Sequence, residues 1–475
     1  MWEFLKRKFN LYNEALFCDK GRKYTYEQIK DMVIRHGENL KKNLDPQAKC
    51  AVLCQKGLDC SLGIMACWYA EMIPIPLSIN YGYDHCKKII ELTNPDLLIT
   101  DHNLDFMGFR YDIIEGKFAG NVLKIQSEDG LQEIALIMCT SGTTGTPKGV
   151  MIGSKELKDN VSKIAEYFDI NINDTILIAR PLYHCAVLTG EFLSAINKGL
   201  NIVFFDEKYN PNSVLKYAIK SDATVLCGTP TLFNHISACI RRSHVKHQIK
   251  KIVLSGECLN KKTALDIRNS FPETMIYNVY GLTEASPRVS WLSPEKFDIY
   301  PESVGTALNG IEIKVLDEQG NEQSANIHGY ISVKTPCLMK GYYKNKRATQ
   351  EAIIDGWLNT GDVGYKDQEG NLFILSRADD MIIKGGMNIY PKEIEDQIIK
   401  INQIEECVAY GKRGEVGENI AVDVVLKCSG EKLISKKELA ALMSNVLPSY
   451  QMPSEINIVD TLKRNASGKI VRMRK

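Results

Sequence analysis

The sequence predicts an α/β fold for roughly the first 300 residues, then a β-rich section and a separate α+β unit. Three observations support this. Short apolar segments alternate with longer amphipathic ones before residue 300, strand-like segments with glycine-containing turns occupy residues 305–377, and a helix-and-strand pattern follows. A chain of 475 residues is also too long for one ordinary core, which favours two or three compact units.

Seven short apolar segments are the candidate strands of the α/β part. Several are apolar throughout, which is typical of sheets covered by helices on both faces. The segments are Ala51–Gln55, Asp96–Thr100, Ile134–Thr140, Asn201–Asp206, Ala223–Cys227, Lys251–Ser255 and Thr274–Tyr280. Their alternation with amphipathic stretches predicts a layered α/β architecture.

The last hundred residues predict the separate α+β unit. Pro391 suits the first turn of a helix, and a second helix follows an S-x-x-E capping box formed by Ser435 and Glu438. Candidate strands between these helices are Cys407–Gly411 and Ile420–Cys428. The predicted boundary divides the chain into residues 1–377 and 378–475.

Charge and cysteine content argue against several classes of protein. The 59 basic and 58 acidic side chains are mixed along the chain, so no basic stripe favours nucleic acid. No apolar run approaches the ~20 residues that span a bilayer, and the first residues lack a signal-peptide core. The 14 cysteines include no C-x-x-C pair, and the histidines no H-E-x-x-H pattern. We expect a cytoplasmic protein with buried, inert thiols, no membrane span and no nucleic-acid partner.

The most informative segment is a loop rich in glycine, serine and threonine after the candidate strand Ile134–Thr140. It reads TSGTTGTPKGV over residues 140–150. Backbone N–H groups and hydroxyls in such a loop suit phosphate oxygens, and Lys148 adds a positive charge. A flexible surface loop is the alternative. Pro147 and Gly149 do not fit a Walker A loop, which argues against an ordinary P-loop nucleotidase.

The loop resembles the phosphate-binding signature of the adenylate-forming superfamily, which includes acyl-CoA synthetases, peptide-synthetase adenylation domains and luciferases. Further motifs of that family follow in its order, and the closest resemblance is to free-standing acyl- or aryl-acid ligases. They are PLYH at 181–184, SGEC at 255–258, NVYGLTEA at 278–285, GWLNTGD at 356–362, RADD at 377–380 and NASGK at 465–469. The resemblance implies a large N-terminal region of two sheets and a β-barrel, joined to a small mobile C-terminal lid with a hinge at Asp379.

The same resemblance implies an enzyme that uses ATP and Mg²⁺ to activate a carboxylic acid as an acyl-adenylate. Lys469 would act at the reacting centre, Thr283 at the α-phosphate, and Glu284 as the Mg²⁺ ligand. One carboxylate completed by phosphates and waters is a common Mg²⁺ arrangement. Asp362 would hold the ribose, with Arg377 nearby. The other implied nucleotide contacts are Ser141, Gly142, Thr143, Thr144, Gly145, Thr146 and Lys148 at the phosphates, and Gly256, Glu257, Asn278, Tyr280 and Gly281 around the adenine.

The acid pocket is predicted in the segment that contains the PLYH motif and the residues after it. His184 is either a structural residue or, as the resemblance implies, a catalytic gate between the acid pocket and the thiol entrance. Amino-acid-activating relatives carry an aspartate where this chain has Ala186, so a buried ammonium would lack its partner here. Ala186, Val187 and Gly190 instead indicate an apolar pocket for a small apolar carboxylic acid, aryl or acyl.

Two acceptors for the acyl group fit the resemblance. Gly385 and Gly386 resemble the small residues that line the family's pantetheine tunnel. Coenzyme A and a carrier protein present the same pantetheine arm, so the chain is either a free-standing acid–CoA ligase, which we favour, or a ligase that loads a separate carrier protein. More distant alternatives are a luciferase-like oxygenase and a non-catalytic adenylate sensor. The presence of Lys469 and Glu284 argues against the sensor.

Substitutions at Lys469 and Asp379 test the two-step mechanism. Lys469→Ala should abolish acid-dependent pyrophosphate release, because loss of one preorganised cationic donor costs roughly 10²–10³ in rate. Thioester formation from supplied acyl-adenylate should stay largely intact. Asp379→Pro should show the opposite pattern, since proline fixes φ near about −65° and hinders rotation of the lid. Each half-reaction is assayed separately, and equal loss of both in one variant would contradict the role of that residue.

Overall fold

The computed structural model describes most of the chain, and the secondary structure there agrees with the sequence. All seven candidate strands are confirmed within two residues at either end. Within the described ranges, no helix is both long enough and apolar enough to cross a bilayer. These ranges are residues 1–78, 82–102, 109–119, 131–141, 147–384, 387–413, 418–427, 434–464 and 470–472.

A nine-stranded sheet forms the largest layer. Its central strands run parallel and their residues are mostly fully buried, as expected for a sheet with helices on both faces. Antiparallel strands close both edges. In spatial order the strands are Thr306–Ala307, Arg288–Leu292, Met275–Gly281, Lys251–Leu254, Val225–Gly228, Thr175–Ile178, Asn201–Phe204, Leu16–Asp19 and Arg22–Thr25.

Two smaller sheets lie beside this layer. The first is parallel except for its last strand, and its order is Ile73–Pro76, Lys49–Leu53, Leu97–Thr100, Arg110–Asp112 and Lys117–Ala119. The second is antiparallel, and its order is Gly341–Tyr342, Pro147–Gly153 and Ile134–Ser141. The strand Ile134–Ser141 therefore leads directly into the predicted phosphate loop.

Helices begin where the sequence supplies capping groups. The Thr25 hydroxyl and the Gln28 side chain cap each other's backbone at one helix, and prolines occupy the first turn of four others. The helices before residue 378 are Trp2–Leu11, Tyr26–Lys41, Gly57–Tyr69, Tyr83–Thr93, Ser154–Tyr167, Cys185–Val187, Ser194–Lys198, Pro211–Lys220, Pro230–Ser243, Lys261–Ser270, Pro294–Phe297 and Lys346–Ala352. A π-helical turn, Leu188–Leu193, joins two of them.

The β-rich section is a five-stranded antiparallel sheet. Its strands are Glu312–Leu316, Gly329–Lys334, Ile353–Ile354, Trp357–Lys366 and Leu372–Arg377. A short 3₁₀ turn, Ala378–Asp380, then leads into the rest of the chain, which we call the C-terminal unit. This turn contains the predicted hinge residue Asp379, which is exposed.

The C-terminal unit is α+β, as predicted. Its helices are Pro391–Ile398 and Lys436–Ser444, and its strands are Ile382–Lys384, Met387–Ile389, Ile404–Arg413, Glu418–Leu426 and Glu455–Ile458. Both the proline at the first helix and the Ser435–Glu438 capping box are confirmed. The unit has its own apolar core, separate from the cores before residue 378.

Polar contacts join the C-terminal unit to the remainder of the protein. A lysine on each side reaches across the interface, and two histidines face carboxylates. The contacts are Lys392 to Glu302 at 3.2 Å, Lys262 to the Ile399 carbonyl at 2.7 Å, His235 to Glu406 at 3.5 Å and His328 to Glu393 at 4.0 Å.

A buried ion pair fixes three neighbouring strands of the large sheet. Lys251 Nζ lies 2.7 Å from Asp174 Oδ2, and both side chains are 6% exposed. The other carboxylate oxygen accepts from the Thr224 hydroxyl at 2.8 Å. Since a buried charge without its partner is costly, the pair contributes to stability as a unit.

Lys251→Met should therefore destabilise the protein. Removal of one partner from a buried pair costs about 3–5 kcal/mol, because the Asp174 carboxylate would stay buried without its cation. Urea unfolding followed by tryptophan fluorescence measures the loss. Lys250→Met is the matched control: its side chain is exposed, and the expected change is within about 0.5 kcal/mol. Equal stability of both variants would contradict this account.

Candidate active site

The predicted motifs follow neighbouring strands of the large sheet at the ends where those strands finish. Strands Thr175–Ile178, Lys251–Leu254 and Met275–Gly281 are parallel and lie within four adjacent positions of the sheet. The PLYH and SGEC motifs begin within three residues after the first two strands. The YGLTE part of the NVYGLTEA motif begins in the last two residues of the third. Because carboxyl ends of parallel strands meet at one edge, the three motifs converge there, as in other open α/β sheets that bind ligands.

Two predicted nucleotide residues, Tyr280 and Arg377, contact the carboxylate of a third, Asp362. The Tyr280 hydroxyl donates to Oδ2 at 2.5 Å, and Arg377 Nη1 donates to Oδ1 at 3.0 Å. Burial, and secondly the charge of Asp362, raise the pKa of Tyr280, so this hydroxyl stays a donor. Arg377 and Asp362 are opposite each other on paired strands, which fixes their contact. This arrangement orients the Asp362 carboxylate so that it can accept hydrogen bonds from hydroxyl groups.

A second cluster surrounds Glu284. Its Oε1 accepts from the Tyr342 hydroxyl at 2.9 Å, and Lys148 Nζ lies 5.0 Å from the centre of the Tyr342 ring. Burial, followed by the charge of Glu284, raises the pKa of Tyr342. Thr283 precedes Glu284 in a 3₁₀ turn and is half-buried. Tyr342 thus links the end of the YGLTE motif to the strand after the phosphate loop.

The chemistry of this second cluster fits Mg²⁺. Glu284 supplies one hard carboxylate oxygen, the ligand type that Mg²⁺ prefers. Within the part of the chain that the structure describes, no group of three His, Cys, Asp or Glu residues could hold a metal ion. Substrate phosphates and waters would have to supply the other ligands, which is usual for this ion.

Other predicted adenine residues have structural partners. The Asn278 side chain is buried and donates to the Ser303 carbonyl at 2.8 Å. The Glu257 carboxylate accepts from the Thr231 N–H at 3.1 Å, at the amino end of helix Pro230–Ser243. Gly256 is exposed beside it. Direct contacts of these residues with adenine stay predictions.

The predicted gate residues start a helical segment. His184 is half-buried, precedes the helical turn Cys185–Val187, and its ring lies 4.3 Å from that of Tyr183. Ala186 is half-buried, whereas Val187 is fully buried in the main core. Ala186 therefore offers surface to a ligand, and the contact of Val187 with an acid stays a prediction.

Charged side chains lie behind Gly190, in a pocket that the sequence predicts to be apolar. A β carbon on Gly190 would lie 2.6 Å from Nη2 of Arg288, so a larger residue at this position would displace the guanidinium. Close by, Arg180 Nη2 pairs with Glu191 Oε1 at 2.6 Å. Glu191 lies on the π-helical turn, an irregularity that is frequent at functional sites. Burial raises the pKa of Glu191, and the charges of Arg180 and Arg288 oppose this.

Some predicted residues lie outside the described ranges. They are Gly142, Thr143, Thr144, Gly145 and Thr146 of the phosphate loop, Gly385 and Gly386 of the pantetheine tunnel, and Lys469. Ser141 is the last residue of its strand and pairs with Pro147, so the two ends of the phosphate loop are held together.

Sequence reasoning missed Tyr342, Arg180, Glu191 and Arg288 as site residues. Tyr342 belongs to no motif and reaches Glu284 only through folding. Arg288 follows the YGLTE motif by a few residues, and a charged side chain at the start of an apolar strand was the available signal.

Comparisons with known proteins agree with this geometry. The AMP-binding enzyme family matches residues 6–343, and the AMP-binding enzyme C-terminal domain matches residues 393–469. A 2-succinylbenzoate–CoA ligase of Bacillus velezensis is 32% identical over 76% of this chain and 72% of its own length. A feruloyl-CoA synthase of an Amycolatopsis species is 28% identical over 86% of this chain and 84% of its own.

Solved structures match over nearly the whole chain. The o-succinylbenzoate CoA synthetase of Bacillus subtilis, in complex with its acyl-adenylate intermediate, matches with a TM-score of 0.87 at 26% identity, over 99% of this chain and 97% of that one. A double mutant of the same enzyme with a product analogue matches with a TM-score of 0.72 at 26% identity, over 99% and 98%. The chain therefore belongs to the AMP-binding enzyme family and is an AMP-forming acid–thiol ligase.

Proposed function

We propose that this ligase binds ATP across the edge of the large sheet, joins it to an aryl or acyl carboxylic acid, and transfers the acyl group to coenzyme A. One observation carries the proposal. The strand and turn from Met275 to Glu284 bring Tyr280 to Asp362 on one side and Glu284 to Tyr342 on the other. One ATP molecule can then place its ribose at Asp362 and its phosphates, with Mg²⁺, at Glu284.

The residues divide the nucleotide among them. Asp362 accepts from the ribose hydroxyls, and Arg377 keeps it oriented. Thr283 contacts the α-phosphate, and Lys148 with the loop before it contacts the terminal phosphates. Glu284 holds Mg²⁺, which neutralises charge on the phosphates when bound. Further contacts proposed from the motifs are those of Gly256, Glu257, Asn278 and Gly281 near the adenine and of Ser141 at the phosphates.

In the first step, an oxygen of the acid attacks the α-phosphorus of ATP. A new O–P bond forms, the bond to the bridging oxygen breaks, and pyrophosphate leaves with the electron pair. Negative charge grows on the α-phosphoryl oxygens, and positioned donors are most effective when they face that charge. We assign this role to Thr283 and, from the sequence alone, to Lys469.

In the second step, the thiol of coenzyme A attacks the acyl carbon. A C–S bond forms, the C–O bond to AMP breaks with its electron pair leaving on the AMP phosphate, and the thiol proton passes to water. The space that Lys469 occupies in the first step must open, so we propose rotation of the C-terminal unit about Asp379 and a thiol path past Gly385 and Gly386. A rotation of this kind would account for the lower TM-score against the product-analogue complex of the double mutant, 0.72 against 0.87.

Coenzyme A is the acceptor that the comparisons favour. The relatives reported above are a CoA ligase and a CoA synthase by name. A separate carrier protein presents the same pantetheine arm and stays the alternative. For the acid, the same names favour an aryl group, which suits a pocket beside His184 and Ala186.

One assay tests the proposal as a whole. The protein is incubated with ATP, Mg²⁺ and an acid library that includes 2-succinylbenzoate and ferulate, with coenzyme A or a holo carrier protein. Pyrophosphate release and thioester mass are measured. We expect acid-dependent pyrophosphate release and an acyl-CoA product. Transfer only to the carrier protein would show that coenzyme A is not the acceptor. Absence of acid-dependent pyrophosphate release would refute the proposed function.

Tyr342→Phe tests the position of Glu284. Loss of the hydroxyl removes the donor that orients the carboxylate, and loss of such supporting hydrogen bonds typically costs roughly 10–100-fold in metal affinity or activity. We expect a higher Mg²⁺ concentration for half-maximal pyrophosphate release. The matched control is Tyr343→Phe, because the Tyr343 hydroxyl instead accepts from Lys49, at 2.8 Å. An unchanged Mg²⁺ dependence in Tyr342→Phe would show that this contact does not position the metal ligand.

A further inference from the structure

The Arg288 guanidinium lies between the nucleotide motif and the gate segment. The Arg288 backbone pairs with Gly281 on the neighbouring strand. The Asn160 side-chain oxygen accepts from the Arg288 N–H at 3.2 Å, and the Asn160 side-chain nitrogen donates to the Arg288 carbonyl at 3.0 Å. The Arg288 side chain extends to Gly190, and the residue is 2% exposed. Arg288 is therefore rigidly placed beside the segment in which we propose the acid binds.

The charges around Arg288 do not balance. Arg288 is buried, the Arg180 side chain is 11% exposed, and the fully buried Glu191 carboxylate interacts electrostatically with both guanidinium groups. Glu191 pairs with Arg180, and no carboxylate in the described part of the chain forms an ion pair with Arg288. Arg288 Nε is buried without a hydrogen-bond partner.

Neighbouring groups do not supply the missing anion. The Tyr167 hydroxyl contacts the guanidinium, but burial raises the pKa of Tyr167, so it is neutral. The thiols of Cys185 and Cys227 are close enough to feel the charge. Burial raises the pKa of Cys185 to about 12 and that of Cys227 well above its usual value, so neither is a thiolate. A buried cation without an anion is costly, which favours an anionic ligand.

If the proposed function holds, the reacting carboxylate of the acid must reach the α-phosphate at Thr283, on the nucleotide side. We therefore assign the anion at Arg288 to another group of the acid. The close approach of Gly190 to Nη2 places the guanidinium against the gate segment.

We propose that Arg288 is a specificity residue and that the acid substrate carries a second carboxylate, which pairs with the Arg288 guanidinium beside Gly190. This inference rests on the proposed function and names its substrate class, a dicarboxylic acid. The body of the acid can still be aryl or alkyl. It differs from the purely apolar pocket that the sequence predicts, because the buried charge belongs to a strand outside the gate segment.

Pairs of acids that differ by one carboxyl group test this inference. The pairs are 2-succinylbenzoate with 3-benzoylpropionate, glutarate with butyrate, and adipate with valerate. Pyrophosphate release gives kcat and KM for each acid. In the parent protein we expect at least one diacid to exceed its partner about 30-fold or more in kcat/KM, since truncation of one partner of a buried charge pair has at least that effect.

Variants of Arg288 assign the preference. Arg288→Met should abolish it, mainly through KM of the diacid, while the monoacid and KM for ATP stay within about threefold of the parent. Arg288→Lys keeps the charge and should retain part of the preference; it also serves if the Met variant does not fold. The matched control, Arg242→Met, changes an exposed arginine and should behave as the parent.

The outcomes separate the two proposals. Equal or better use of every monoacid, or equal losses for both acids of a pair in Arg288→Lys, would overturn the role of Arg288 and leave the ligase function standing. Absence of acid-dependent pyrophosphate release with all acids in the parent protein would overturn both.

Discussion

The tight reversal of the chain after strand Met275–Gly281 is the constraint on which the candidate site depends. A β carbon on Gly281 would lie 1.7 Å from the Pro287 carbonyl oxygen, so only glycine permits this approach. Because the reversal is so close, Glu284 and Arg288 are near in sequence yet face different parts of the site. Glu284 lies at the proposed phosphate end and Arg288 at the proposed acid end. A longer loop would hold neither side chain in position.

The site carries carboxylates at one end and an excess of positive charge at the other. Asp362 and Glu284 each accept from a tyrosine hydroxyl, and Asp362 also pairs with Arg377. At the other end, guanidinium groups outnumber carboxylates. Such a division suits a reaction in which a nucleotide with its cation and an anionic acid must approach each other without direct repulsion between their charges.

The sequence predicted the strands well and located the motifs that follow them, because both are encoded locally. A buried strand needs only a short apolar segment, and a turn such as Thr283–Ala285 follows it by connectivity. Tyr342 and Arg288 could not be found in this way. Their importance comes from partners in distant segments, Glu284 and Gly190, and only the folded chain brings these together.

The interface between the C-terminal unit and the rest of the protein has a mechanical consequence. Its hydrogen bonds and ion pairs are accompanied by a ring contact between His328 and Tyr390, and each unit keeps its apolar core to itself. Separation of two apolar faces would cost about 25 cal/mol for each Å² exposed. Lysine and carboxylate groups, including the buried Lys392, instead regain water as they part, which offsets part of the lost attraction. If the C-terminal unit rotates as proposed, it breaks polar contacts of this kind, and dissolved salt, by screening these charges, eases their separation.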